Sequence, residues 1–327
     1  MGIGGTEPRR THSTPPTLYA GPGALAPMKL GTRGSPLALV QAGAVAARLR
    51  TLGADVEVVP IRTEGDRRVD ARLAAIGGKG LFVREIEEAL REGLIDGAVH
   101  SLKDLPAELP AGLALAAFAE REDPRDVLVS RSGASFEDLP VGAVIGTSSP
   151  RRRALALALR PDLVVEPIRG NVETRVRKLE GGPWDAVILA AAGLARLGLK
   201  PQHAQPLDPT VFVPAVGQGI VVVEGRAADR TMRAWFDRID DGPTRVCAVA
   251  ERAYLGRLGA SCNTPMAAYA VLDGVCLRMT AFVASEDGRQ VLRGAESGTP
   301  HESEALGRRL AETLLAQGAA AVTALRV

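Results

Sequence analysis

Short apolar runs alternate with longer amphipathic stretches from residue 29 onward. The run "KLGTRGSPLALVQAGAVAARLRTLG" (29–53) predicts a short strand, a turn and a helix. Ser35 is placed to cap this helix, Pro36 fits its first position and Gly53 can end it. The continuous apolar run "VEVVPI" (56–61) predicts a second strand.

A further helix and strand follow the first pair. The segment "GLFVREIEEALREG" (80–93) predicts a helix, because Leu81, Ile86 and Leu90 lie near one face at helical spacing. The run "IDGAVH" (95–100) predicts the next strand. Strands that alternate with helices in this way are typical of α/β units with largely parallel strands.

The same order of elements recurs in the following segment. A turn "GTSSP" parallels the earlier "GTRGSP", with Ser149 and Pro150 in the capping positions, and Asn171 opens the next helix. The predicted elements are a strand, turn and helix in 141–160, a strand in 163–168, a helix in 171–181 and a strand in 185–190. Two similar α/β lobes would leave a cleft between them, where such architectures bind ligands.

The pattern changes beyond residue 226. We predict helices at about 228–239, 244–257 and 302–317, short strands within 267–297, and a last strand in "AVTALRV" (321–327). The fold class is therefore α/β, with two lobes and a cleft between them, followed by a smaller C-terminal α+β domain.

Composition narrows the range of functions. The 327 residues carry a formal net charge of +2 and only 3% are aromatic, which disfavours nucleic-acid or acidic-membrane partners. Three cysteines, at no zinc-binding spacing, argue against a disulfide framework or a structural metal site. We therefore expect a reducing, cytoplasmic setting and no bound metal.

The first 27 residues are rich in glycine, proline and threonine and contain no continuous apolar core of the kind a signal peptide needs. We interpret residues 1–27 as a disordered extension, and Met28 as a candidate start of translation. No stretch elsewhere approaches the roughly 18 uninterrupted apolar residues of a membrane-spanning helix.

Cations lie at the ends of predicted elements. In the second lobe they are Arg151, Arg152, Arg153, Arg169, Arg175 and Arg196. In the first lobe the matching turn offers Arg33 and Ser35, and "GGKGLF" offers Lys79. Any one arginine alone is more often part of a solvated face. Several at the carboxyl ends of successive strands indicate a site for carboxylates or phosphates, because helix N-termini and bidentate arginines both bind anions.

Two other side chains are candidates for chemistry. Asp104, in "HSLKDLP", follows a strand end, where its carboxylate can face the same cleft as the arginines and stabilise a cation or move protons. Cys262, in "LGASCNTPM", has small and polar neighbours, whereas a buried structural cysteine usually has apolar ones. Cys247 and Cys276 are interpreted as core residues.

Nine short motifs, taken together and in order, resemble the porphobilinogen deaminase (hydroxymethylbilane synthase) family from about residue 29 to the C-terminus. They are "GTRGSPLAL", "GGKGLF", "HSLKDLP", "EREDPRD", "GTSSPRR", "RGNVETR", "LAAAGLARLG", "PAVGQG" and "GASCNTP". The resemblance implies two lobes like those of periplasmic binding proteins and a third, cofactor-carrying domain. The implied ranges are 28–120 with 219–240 for domain 1, 121–218 for domain 2 and 241–327 for domain 3.

The resemblance also implies the chemistry. A dipyrromethane cofactor would be attached through a thioether to Cys262, and four porphobilinogen molecules would be deaminated and added to it in turn before water releases hydroxymethylbilane. Asp104 matches the catalytic aspartate. The implied cofactor-binding residues are Cys262, Lys103, Asp104, Ser149, Arg151, Arg152, Arg169 and Arg175. The implied substrate-binding residues are Arg33, Ser35, Lys79, Arg169, Arg175 and Arg196.

The family resemblance further implies a monomer whose partner is the small molecule porphobilinogen, without nucleic acid or membrane. The main alternative is a non-catalytic anion-binding protein built on the same two-lobe plan. That alternative explains the arginines and the cleft, but it does not explain a third domain with an accessible cysteine. A nucleic-acid-binding protein is the weaker alternative, since the net charge is near neutral and aromatic residues are scarce.

Overall fold

The computed structural model describes residues 26–63, 83–259 and 264–323, and within them three β-sheets organise the chain. The first sheet has the strand order β2–β1–β3–β10–β4. Its strands are β1 (Met28–Arg33), β2 (Val56–Ile61), β3 (Gly97–Ser101), β4 (Leu113–Phe118) and β10 (Val221–Arg226). Strands β1, β2 and β3 are parallel, and β10 runs antiparallel to both of its neighbours.

The second sheet repeats this plan in the order β7–β6–β8–β5–β9. Its strands are β5 (Asp126–Ser130), β6 (Val144–Gly146), β7 (Val164–Glu166), β8 (Ala186–Ala190) and β9 (Ala204–Pro206). Here β5 is the antiparallel strand and occupies the place that β10 has in the first sheet. Each antiparallel strand adjoins a chain crossover between the sheets, at 119–125 and 207–220, so the two lobes are joined twice.

Helices pack on both faces of the two lobes. They are α1 (Pro36–Thr51), α2 (Arg84–Arg91), α3 (Pro150–Leu159), α4 (Val172–Gly181), α5 (Ala191–Arg196) and α6 (Arg230–Phe236). In the first lobe, α1 and α6 cover one face through a core that includes Leu49 and Phe236, and α2 covers the other through Ile86 and Leu90. The repeated two-lobe α/β prediction is confirmed.

The third sheet is antiparallel and carries helices on one face. Its elements are α7 (Gly242–Leu258), β11 (Met266–Asp273), β12 (Cys276–Ala284), β13 (Val291–Gly298), α8 (Ser303–Ala316) and α9 (Ala319–Thr323). Tyr254 of α7 and Leu310 of α8 fill the core beneath it, while Phe282 packs from the opposite face into the core of the second lobe. A smaller α+β unit is therefore present, as predicted, and the positions at which the domains begin and end stay a prediction.

Local capping follows the sequence closely. Ser35, Ser149 and Asn171 each cap a helix, accepting hydrogen bonds from the backbone N–H three residues later. Pro36 and Pro150 occupy the first helical positions, where a missing N–H costs nothing.

Two sequence predictions about the third unit are wrong. Residues Ala319–Thr323 form a short helix instead of a strand, because a run of alanines favours helix and Gly318, at φ +99°, separates it from α8. Cys276 is only half-buried at the start of β12 and is not a core residue, whereas Cys247 is buried as predicted. The remaining residues of the predicted last strand, 324–327, lie outside the described residues.

Candidate active site

A short 3-10 turn, Leu102–Asp104, carries two of the predicted site residues directly after β3. Leu102 is buried and its N–H donates to the carbonyl of Ile220 at 2.9 Å, while the N–H of Leu105 closes the turn onto Leu102 at 3.2 Å. Asp104 itself is exposed. The turn thus anchors its apolar side in the core and leaves the carboxylate accessible at the end of the strand, as predicted.

The loop 214–219, "PAVGQG", packs against this turn. Gly217 has φ +71°, and a Cβ there would lie 2.7 Å from the Cγ of Leu102. Gly219 has φ +88°, and a Cβ there would lie 2.3 Å from the carbonyl oxygen of Glu122. Both positions require glycine for conformation and for space, so this loop sets the approach of the second crossover to the turn.

Asp126, the first residue of β5, is a fully buried carboxylate in the second lobe. It accepts hydrogen bonds from Arg151 at 2.6 Å and from Arg152 at 2.7 and 3.0 Å. Burial alone would raise the pKa of Asp126, but the two guanidinium groups outweigh burial and hold the pKa well below its ordinary value. The carboxylate is therefore charged and determines where both arginines point.

Arg151 and Arg152 begin α3, and both are buried. Besides Asp126, Arg151 donates to the carbonyl of Val213 at 2.8 Å and Arg152 to that of Ile188 at 2.9 Å. Predicted as binders of cofactor carboxylates, these arginines here are part of a buried ion-pair network. Their predicted binding role stays a prediction.

Gln218 connects the two lobes at this point. Its side-chain amide donates to Asp126 at 3.1 Å and to the carbonyl of Pro124 at 2.7 Å, and its oxygen accepts from the Lys103 ammonium at 3.5 Å. Burial and then Arg152 lower the pKa of Lys103 to about 8, although Asp104 and Asp126 act in the opposite direction. The turn of the first lobe therefore faces the arginines of the second.

Arg175 belongs to the same group of cations. Its Nε donates to the carbonyl of Gly170 at 2.8 Å, and its pKa is lowered by burial and by the neighbouring Arg152. Gly170 has φ +118° and forms the tight turn between β7 and α4. Arg169, one residue earlier, is exposed at the carboxyl end of β7.

Arg196, the last residue of α5, lies beside the crossovers. It donates to the carbonyl of Gly219 at 2.7 Å, and the same carbonyl accepts from the N–H of Glu122 at 3.1 Å. Burial lowers the pKa of Arg196, while Glu122 acts in the opposite direction. Arg196 thus contacts the loop that contains Gln218.

The first lobe contributes Arg33 and Ser35 at the carboxyl end of β1. Strand β1 is the parallel neighbour of β3, so these residues share a sheet edge with the Asp104 turn. Gln41 of α1 donates to the hydroxyl of Ser101 at 2.9 Å, which ties α1 to the end of β3. The side chain of Ser35 caps α1.

Two predicted site residues, Lys79 and Cys262, lie outside the described residues. Helix α7 ends at Leu258, and β11 begins at Met266. Of the two other cysteines, Cys247 is buried, and burial followed by the nearby Glu251 raises the pKa of its thiol to about 11. Cys247 is therefore poorly suited to act as a nucleophile.

Sequence reasoning did not assign roles to Asp126 and Gln218, which the structure places at the centre of the site. Both lie in motifs that carried the family resemblance, "EREDPRD" and "PAVGQG". An aspartate that follows Asp-Pro-Arg and a glutamine between two glycines were the available signals. Neither signal indicates that the two side chains meet, since 92 residues separate them.

The arrangement suits a ligand with several carboxylates. Lys103 interacts with the charges of Arg151, Arg152, Asp104 and Asp126, and Arg175 interacts with the charge of Arg152. This excess of positive charge, partly shielded from water, would be neutralised by bound anions. The donor set therefore fits a ligand that carries several carboxylates, and the exposed Asp104 lies beside this group of cations.

Helices long and apolar enough to cross a membrane are absent from the part of the chain that the structure describes.

Family models and relatives of this chain all carry the name of one family. Residues 28–234 match the family model "Porphobilinogen deaminase, dipyromethane cofactor binding domain", and residues 245–316 match "Porphobilinogen deaminase, C-terminal domain". The porphobilinogen deaminase of Brevibacillus brevis is 47% identical over 299 residues, which are 90% of this chain and 96% of the relative. That of Geotalea uraniireducens is 48% identical over 297 residues, covering 90% of this chain and 93% of the relative.

One solved structure gives a weak structural match. A periplasmic substrate-binding protein of an ABC transporter from Coxiella burnetii aligns with a TM-score of 0.39 and 16% identity, over 69% of this chain and 96% of that one. At this TM-score we base no argument on the match.

Proposed function

The chain belongs to the porphobilinogen deaminase family, and from this premise we propose how its residues perform the family's reaction. It is a transferase of tetrapyrrole biosynthesis with a dipyrromethane cofactor binding domain. The observation that carries the residue assignments is the cation group Lys103, Arg151, Arg152 and Arg175 beside the exposed Asp104. The alternative of a non-catalytic anion-binding protein is not favoured by this family membership.

The cation group would hold the dipyrromethane cofactor through its carboxylates. Lys103, Arg151, Arg152, Arg169 and Arg175 supply the charges, and Ser149 supplies a hydroxyl at the start of α3. The family resemblance implies Cys262 as the point of covalent attachment. The buried Cys247, with its raised thiol pKa, is poorly suited to that role. When bound, dipyrromethane supplies the pyrrole carbon to which the substrate units are added.

Asp104 is proposed as the catalytic residue. Loss of ammonia from porphobilinogen leaves positive charge on the substrate, and a carboxylate at the end of β3 stabilises that charge by proximity. It also accepts hydrogen bonds from pyrrole N–H groups. Its exposure at the end of a turn anchored by the buried Leu102 gives it access to substrate without giving it freedom of position.

Lys103 is the member of the group whose charge depends on pH near neutrality. Its pKa, lowered to about 8 mainly by burial, means that the ammonium charge is present below pH 8 and lost above it. We expect the apoprotein's affinity for a small dicarboxylate to fall between pH 7 and 9. Lys103→Arg should remove this pH dependence, because a guanidinium stays charged throughout. Isothermal titration at pH 7 and 9 measures it, and an unchanged profile in the variant would contradict the assignment.

Substrate binding is assigned to residues around the same sheet edges. The proposed set is Arg33, Ser35, Lys79, Arg169, Arg175 and Arg196. Arg33 and Ser35 are supported by their place at the end of β1 next to the Asp104 turn, and Arg196 by its contact with the loop 214–219.

We also propose that the protein acts as a monomer in the cytoplasm, with the small molecule porphobilinogen as its substrate. Size-exclusion chromatography with light scattering tests the oligomeric state, and fractionation of the native cells tests the location. A dimer mass at micromolar concentration would contradict the first part.

The first experiment is the intact mass of the purified protein beside Cys262→Ala, with Cys276→Ala as the matched control. We expect a mass excess equal to two linked pyrrole units in the wild type and in Cys276→Ala, and none in Cys262→Ala. If both wild type and Cys262→Ala show the bare polypeptide mass, porphobilinogen is added and the masses are measured again. A bare mass even then would overturn the proposal.

The second experiment concerns Asp104→Asn, with the exposed Asp287→Asn as control. Asp104→Asn should keep the cofactor mass but lose about 10²–10³-fold in turnover, the size expected for one electrostatic group acting on the transition state. Near-normal turnover would refute the role.

For Arg169→Ala we expect slower cofactor assembly or a block at an early elongation step, visible as altered stepwise intermediates on a native gel.

A further inference from the structure

Four polar side chains near the Asp104 turn, three from the first lobe and one from α7, interact through their charges, and the mechanism above does not use them. They are Glu87 of α2, His100 of β3, Glu224 of β10 and Arg252 of α7. Glu224 is fully buried, and its Oε2 lies 3.2 Å from Nε2 of His100. We call this set the Glu224 cluster.

Arg252 contacts the backbone that leaves the Asp104 turn. Its Nη2 donates to the carbonyl of Pro106 at 3.0 Å and to that of Ala107 at 2.7 Å. These carbonyls lie two and three residues after Asp104. The guanidinium therefore fixes the outgoing side of the turn to α7, while the Leu102 N–H bond to Ile220 fixes the incoming side.

Glu224 balances the charge that this anchor brings into the lobe. Burial lowers the pKa of Arg252, and the Glu224 carboxylate acts in the opposite direction. Burial, followed by Glu224, raises the pKa of Glu87, which favours the neutral form of that second carboxyl. The cluster thus presents one buried carboxylate to two basic groups, His100 on the strand that enters the turn and Arg252 on the helix that holds its exit.

We propose that Arg252 is a positioning residue for Asp104. The guanidinium restrains Pro106 and Ala107, so the carboxylate two residues earlier occupies a narrow range of positions. Positioning of this kind acts on turnover, because a displacement of about 1 Å of a reacting group can cost about 10²-fold in rate.

The same helix leads to the segment assigned to the cofactor. Helix α7 ends at Leu258, and Cys262 follows four residues later. One rigid element therefore carries the anchor of the Asp104 turn and precedes the attachment point. This inference rests on the proposed function, since it needs Asp104 to be catalytic.

The test compares Arg252→Gln and Arg252→Lys in the cofactor-loaded enzyme. Arg257→Gln is the matched control, because Arg257 lies on the same helix and pairs with the exposed Glu312 away from the turn. Three quantities are measured: cofactor content by intact mass, kcat and KM for porphobilinogen, and hydrogen exchange of the Leu105 amide, which closes the turn.

We expect Arg252→Gln to retain the cofactor, to exchange the Leu105 amide faster and to lose about 10²-fold in kcat with KM changed less than about threefold. Arg252→Lys, which keeps a charged donor, should recover at least about tenfold of that loss. Arg257→Gln should match the wild type in all three measurements.

Unchanged Leu105 exchange in Arg252→Gln, or a kcat within about twofold of wild type per loaded molecule, would overturn the inference. A rate loss that only parallels cofactor loss would overturn it as well. If Arg252→Gln does not fold, the same three measurements on Arg252→Lys decide the question, with a smaller expected change in Leu105 exchange and in kcat. If the wild type consumes no porphobilinogen, the proposed function fails, while the exchange comparison still reports on the anchor.

Discussion

Two buried carboxylates occupy corresponding strands of the two lobes and have very different partners. Asp126 begins β5, and Glu224 lies within β10; each strand is the antiparallel member of its sheet. Asp126 accepts hydrogen bonds from two arginines and Gln218, whereas the partner of Glu224 is His100 at 3.2 Å, with Arg252 acting through its charge. One carboxylate accepts hydrogen bonds from two arginines and a glutamine, and the other lies beside a single histidine.

This difference indicates that the two carboxylates have different roles. The Asp126 network holds Arg151 and Arg152, which we propose for the site, so its loss would disturb both stability and the placement of these two arginines. The Glu224 cluster acts one step further away, through backbone carbonyls next to Asp104. Substituting Asp126 and Glu224 in turn measures how much each arrangement contributes to the free energy of unfolding.

The largest effect is expected for Asp126→Asn. Removing this charge leaves two buried arginines without compensation, which costs about 3–5 kcal/mol in the free energy of unfolding. Urea denaturation of the cofactor-free protein measures the loss. A decrease below about 1 kcal/mol would show that the arginines find other partners or reach solvent, against the burial described here.

A smaller effect is expected for Glu224→Gln. The glutamine keeps the shape, and Arg252 is only half-buried. We expect a loss of about 1–3 kcal/mol, the usual cost of leaving buried polar groups poorly paired. Urea denaturation beside Asp126→Asn gives the ratio, and a loss equal to that of Asp126→Asn would remove the distinction between the two sites.

The pH dependence of the free energy of unfolding also distinguishes the Asp126 network from the Glu224 cluster. The depressed pKa of Asp126 means that its stabilising contribution is present above the unfolded value near pH 4 and is lost as pH falls below it. The raised pKa of Glu87 has the opposite sign: the protonated form is favoured in the fold, and stability falls as pH rises above about 4.5. Glu87→Gln should therefore stabilise the protein at pH 7 and leave it unchanged at pH 4. Thermal melting at both pH values checks this, and equal shifts at both would contradict it.

The smallest effect is expected at an exposed pair. Arg308 and Glu304 form an ion pair of 2.8 Å on the surface of α8. Because water screens such pairs, Arg308→Gln should have the unfolding midpoint of the wild type. It is the reference against which the buried carboxylates are judged, and a measurable loss would show that charge number alone, and not burial, governs the series.

Much of the secondary structure could be predicted because it depends on near neighbours. Ser35, Ser149 and Asn171 cap helices whose first turns they adjoin, and the apolar run 56–61 forms a strand with those same bounds. The segment after Gly318 was predicted wrongly, because its valine and threonine suggested a strand while its alanines favour the helix that forms.

Part of the candidate site could likewise be predicted from the sequence, and part could not. Its cations and Asp104 were predicted from the sequence, because cations at the ends of successive strands and helix starts form a local pattern, whereas Asp126 was given no role. The ordered motifs determined the family. The sequence by itself thus determined the fold class, the family and which side chains carry charge.

Tertiary structure alone decided which charges meet. Asp126 accepts hydrogen bonds from Arg151, 25 residues away, and from Gln218, 92 residues away, because the two crossovers place β5 and β10 against strands of sheets formed by distant segments. Arg252 reaches Ala107 across 145 residues. Such pairings depend on how the lobes and the third sheet pack, and packing is a property of the folded chain that no short stretch of sequence contains.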